Sequence, residues 1–227
     1  MSTPPASGAG DPWEAAAERT GGVVVRDAGG KPLELLIRHG PWTIRVEENF
    51  NAATKSVDTS ARAAFAGSDW FRCSIRRKTV MADLLVWLGM QDVQVGHPEF
   101  DSEFVVKGND DAEIRQLFAD GRLRALLLAH PGGRLQVTDP EQSMHAAPED
   151  ATHGLGEVVY ERPGRAPDAA DLHAMAAVVG ETLDQLLRMG AIAECPVWPA
   201  ACRGCGQALM HQAACPECGR PAVAPGR

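Results

Sequence analysis

Two C-x-x-C pairs near the C-terminus, Cys202 with Cys205 and Cys215 with Cys218, are the residues whose type and spacing most directly imply chemistry. Nine residues separate the pairs, and a glycine follows each, Gly206 and Gly219. Four thiolates on two short turns can close around one tetrahedral Zn²⁺. Glycine after each pair permits a left-handed backbone that turns amides toward the sulfurs. The four sulfurs leave no open coordination position, so the expected role of the metal is structural. A redox dithiol pair and an iron site are the alternatives. His211 lies in the intervening loop and is not needed as a ligand.

This segment resembles the short zinc-ribbon family, whose pattern is C-x-x-C-G, a brief hairpin, then C-x-x-C-G. The match covers residues 202–219, and the family's four ligands fall on Cys202, Cys205, Cys215 and Cys218. The resemblance implies a structural Zn²⁺ and a small docking surface. It implies no particular activity, because ribbons of this kind occur on nucleic-acid machinery, on enzymes and on many bacterial proteins of unknown function. A second phrase, Gly96-His97-Pro98-Glu99-Phe100-Asp101-Ser102-Glu103-Phe104-Val105-Val106, is similar to a G-x-x-x-F-D-x-x-F-x-V sequence in uncharacterised bacterial proteins, some of which carry a zinc ribbon. No activity comes with that resemblance.

The other chemically suggestive residues each have a plainer reading. His97, Glu99, Asp101 and Glu103 alternate, and on an extended segment they would share one solvated face. Phe100 and Phe104 are expected to anchor the core, with Gly108-Asn109-Asp110 turning a strand into a capped helix. Cys73 lies between Phe71 and Ile75 on the apolar side of a strand, which predicts a buried, inert thiol. Cys195 precedes Pro196 and is spare. His145, Asp150 and His153 have no helical H-E-x-x-H spacing. Arg72, Arg76, Arg77 and Lys78 form the densest basic run, expected as a solvated sheet face that could meet an acidic partner or a phosphate. The nucleophile elbow, the phosphate-binding G-x-x-x-x-G-K-[ST] loop and the G-x-G-x-x-G turn are all missing from the sequence.

Bulk properties narrow the field further. Hydrophobic residues make up 44% and charged residues 23% of the 227, which suits a globular domain with its own core plus a small appendage. A formal charge of −8 argues against nucleic-acid binding, since phosphate affinity comes largely from Lys and Arg. Residues 202–227 carry three arginines, Arg203, Arg220 and Arg227, against Glu217, a weak basic footprint. No basic stretch followed by an apolar run opens the chain, and its apolar runs are too short to span a membrane, so the expected location is cytoplasmic. A reducing compartment also favours metal over disulfides for paired C-x-x-C motifs.

The elements that must position these residues follow from periodicity. Period-2 alternation predicts antiparallel strands through Leu33, Leu35 and Ile37, through Trp42, Ile44 and Val46, and through Phe71, Cys73 and Ile75. Further strands are expected at Leu135 and Val137 and around residues 157–160. Helical spacing links Met81, Leu84, Leu85 and Leu88. A capping box of Asp110 and Glu113 opens another helix, interrupted at Asp120-Gly121. The longest helix is expected over residues 168–189, its apolar stripe opposite His173, Glu181, Asp184, Gln185 and Arg188. The predicted organisation is therefore a disordered N-terminus (1–12), an α+β domain (20–190), a proline-containing linker (191–201), the ribbon (202–219) and a flexible tail (220–227). The fold class is α+β, an antiparallel sheet backed by helices, with a four-cysteine ribbon appended.

These features predict a non-enzymatic zinc protein whose ribbon helps dock a protein partner. Two other classes remain open: a small-molecule or lipid-binding cavity under the long helix, and nucleic-acid binding through the ribbon.

Overall fold

The computed structural model describes residues 11–51, 55–65, 71–78, 91–130, 132–138, 155–166, 168–192, 200–201 and 208–209. Nine strands form one antiparallel sheet in the order β1-β2-β3-β4-β9-β8-β5-β7-β6. They are β1 (Val23–Arg26), β2 (Pro32–His39), β3 (Trp42–Asn51), β4 (Ser56–Phe65), β5 (Cys73–Arg77), β6 (Gln91–Asp92), β7 (Phe104–Gly108), β8 (Arg134–Thr138) and β9 (Gly156–Pro163). Strands β1 to β4 run as a meander, and the β8–β9 hairpin sits between β4 and β5. Among the described residues five helices accompany them: α1 (Pro12–Thr20), α2 (Pro98–Glu103), α3 (Asp111–Leu117), α4 (Gly121–Ala129) and α5 (Ala169–Arg188). The α+β class is as expected from sequence. The helix anticipated through Met81 and Leu88 lies outside the described residues, as do His145, Asp150, His153, Cys195 and the four C-x-x-C cysteines.

Alternation along each strand divides the sheet into two faces. Leu35, Ile37, Ile44, Val46, Ala61, Ala63, Ile75, Val106, Leu135, Val137, Val158 and Tyr160 join one continuous core with the helices. The long helix α5 packs over β3, β4 and β9 and against α1 and α4. Its N-cap is Asp168, whose side chain accepts from the amide of Asp171, and Gly190 follows its end with φ 76°. These are the start and stop signals read in the sequence.

Several elements differ from expectation. Strand β4, at the centre of the sheet, was not anticipated. Its core-facing side carries Thr59, Ala61, Ala63 and Phe65, and alanine lacks the β-branched signal that marks strands. Small side chains there leave room for α5 above them. The sequence reading also began the body at residue 20, yet α1 starts at Pro12 and Trp13, Ala16 and Ala17 are part of the core. Asp11 caps that helix by accepting from the Trp13 amide at 3.0 Å. The Arg26 hydrogen bond to Asp11 holds that carboxyl below the usual aspartate range, and so fastens α1 to β1.

Glu181 and Gln185 were placed on the solvated face of the long helix, but they are only 5% and 4% exposed. Tertiary packing explains this. Helix α4 lies along that side of α5, and Arg122 donates to Glu181 Oε2 at 3.0 Å while Arg188 donates to Oε1 at 2.9 Å. Both oxygens of this buried carboxylate are thus engaged, the Arg122 contact joining α4 to α5 and the Arg188 contact lying within α5.

The opposite sheet face carries a charge ladder. Glu34 faces Glu47, and Arg45 faces Arg62, in direct cross-strand register. Like charges in register repel, and the arrangement is neutralised diagonally. Arg45 contacts Glu34 at 2.9 Å, and Arg62 reaches Glu47 at 3.1 Å and Glu157 at 3.9 Å. Burial pushes the Glu34 carboxyl up, an effect partly opposed by Arg45 and reinforced by Glu47. A raised carboxyl pKa means the folded state binds a proton that the unfolded chain releases first. Glu34 therefore stabilises the fold most at acid pH, and that contribution is lost as pH rises from the ordinary glutamate pKa of about 4.3 through its higher folded value. Denaturant midpoints of wild type minus Glu34→Gln, followed from acid to neutral pH, should decline along that path. A rising difference would show that the Arg45 pair outweighs burial.

Candidate functional site

Two short described strands lie on either side of the first C-x-x-C in sequence. Strands β10 (Ala200–Ala201) and β11 (Ala208–Leu209) pair antiparallel, Ala200 with Leu209 and Ala201 with Ala208.

Within the body, the phrase around Asp101 folds differently from expectation. Residues 97–103 are not extended: Pro98–Glu103 is a helix, so His97, Glu99, Asp101 and Glu103 do not line up on a strand face. Proline at the first helical position, and acidic residues in the first turn, favour that helix. Asp101 folds back onto the preceding loop. Its Oδ1 accepts from the Val95 amide at 2.9 Å, and its Oδ2 accepts from Gly96 and His97 at 3.0 Å each. Phe100 and Phe104 are buried as expected, with ring centroids 4.6 Å apart. The aspartate is thus a clip holding the loop over the aromatic pair. Asp101→Ala should lower stability by about 2 kcal/mol and Asp101→Asn by less, because hydrogen bonds to a charged acceptor are worth about 1.5–3 kcal/mol. Equal melting temperatures for the alanine variant and wild type would refute the clip.

The turn after β7 is as read from sequence. Asp110 accepts from the amides of Ala112 at 2.8 Å and Glu113 at 2.9 Å. Gly108 is required sterically, since a Cβ there would lie 2.6 Å from the Arg72 carbonyl oxygen and 2.2 Å from Ile114 Cδ1.

Cys73 is buried, and desolvation raises its thiol to about 12, so it is not a nucleophile near neutral pH. The basic run splits across its strand. Arg77 pairs with Glu103 at 2.6 Å and Lys78 donates to the Asp101 carbonyl at 2.6 Å, both fastening β5 to the α2–β7 segment. Arg72 also has its own interactions. Arg76 points to the opposite sheet face, beside Arg134 on β8.

One imidazole–carboxylate pair was invisible to sequence reasoning. His39 Nε2 lies 3.0 Å from Asp184 Oδ1, bringing together the end of β2 and the middle of α5. The ring rests on Gly180, where a Cβ would stand 2.8 Å from His39 Cε1. A glycine interrupting an otherwise apolar helical stripe was the available signal. The pair ties the β2–β3 hairpin to α5. Among the described residues, no three His, Cys, Asp or Glu side chains converge as a metal site. No helix of the described residues is long and apolar enough to cross a membrane.

No family model matches the chain, and neither the curated proteins nor the solved structures searched include one that is significantly similar to it.

Proposed function

We propose that this protein is a zinc-bearing docking protein, not an enzyme, in which Cys202, Cys205, Cys215 and Cys218 hold one structural Zn²⁺ and the ribbon so formed meets a protein partner. The single observation supporting the reading is the antiparallel pairing of Ala200–Ala201 with Ala208–Leu209, the residues that flank the first C-x-x-C in sequence. The closed donor set supports a structural metal, because no position is left for a substrate or an activated water. The body's titratable groups fit the same reading: Glu181 and Asp101 are used up in internal hydrogen bonds, and Cys73 is held protonated.

Elemental analysis of chelator-free protein should return about one zinc per chain, and protein with all four cysteines changed to serine should return none. Docking has its own test. A partner recovered with the full chain from native lysate should be lost when residues 202–227 are deleted, while the deleted protein still melts cooperatively. Retention of the same partner by the deleted protein would place the docking surface on the body.

A further inference from the structure

We draw no further inference here: the strongest candidate, the surface patch formed by the exposed side chains of Leu33 on β2 and Phe50 on β3 near the Asn51–Ser56 end of the β3–β4 pair, carries nothing because nothing in the structure shows what covers it.

Discussion

Removing zinc is expected to abolish the folded ribbon while leaving the body's melting transition in place. Short four-thiolate modules have too little apolar surface to fold without their ion, and their metal binding free energy, about 10–16 kcal/mol at neutral pH, is in effect their folding free energy. The body has a core of its own, running from Trp13 in α1 to Ile192 beyond α5. Chelation should therefore release about one equivalent of zinc and render residues 200–219 protease-sensitive. Amides of α5 and of the central strands should remain protected from hydrogen exchange. Cys202→Ser should have the same effect without chelator. Because thiols must lose protons to bind, zinc should also be released progressively on acidification. A ribbon that stays protected after complete chelation, or cysteines that resist alkylation because they are disulfide-bonded, would remove the metal from the account.

The second large effect concerns two adjacent glycines that sequence alone treats alike. Gly132→Ala should be nearly silent, within about 0.5 kcal/mol, because nothing lies within 4 Å of the added methyl. Gly133→Ala should destabilise by about 3 kcal/mol or more, the upper range for overpacking. A Cβ there would lie 2.1 Å from Tyr160 Cζ and 2.2 Å from its hydroxyl oxygen. The ring has no easy escape, since Tyr160 is buried in the core and its hydroxyl donates to the His130 carbonyl at 2.6 Å. Burial pushes this phenol to about 12, so the hydroxyl keeps its proton and its hydrogen bond throughout the neutral range. Urea denaturation of the two alanine variants provides the comparison. Similar midpoints for both would mean that the turn between α4 and β8 yields to the methyl and that the Tyr160 contact is not rigid.

The local signals in this chain were the reliable ones. Asp110 and Asp168 were legible as helix starts because a capping side chain bonds amides two or three residues away, within the sequence window itself. Alternation through Leu35 and Ile37, or through Ile44 and Val46, located strands for the same reason. The cysteine quartet is likewise a local pattern of residue type and spacing, and the proposed metal site rests on it.

Other features depended on partners far along the chain. Strand β4 has little strand-forming signal of its own, and it is held between β3 and β9 by cross-strand hydrogen bonds to residues up to about a hundred positions away. Asp101 looked like one of four alternating polar groups until the helix following Pro98 turned it back onto its own loop. Glu181 and Gln185 occupy helical positions that read as solvated, and only the arrival of α4 buries them.

Taken alone, the sequence determined the α+β composition, the ends of the long helix α5, the inertness of Cys73 and the identity of four candidate zinc ligands. Each follows from residue type and short-range spacing. The tertiary structure decided the strand order, the His39–Asp184 contact, the steric need for glycine at 133 and 180, and the facing of Arg76 by Arg134. Those depend on which distant segments become neighbours, and strand pairing and helix packing, not local propensity, set that outcome.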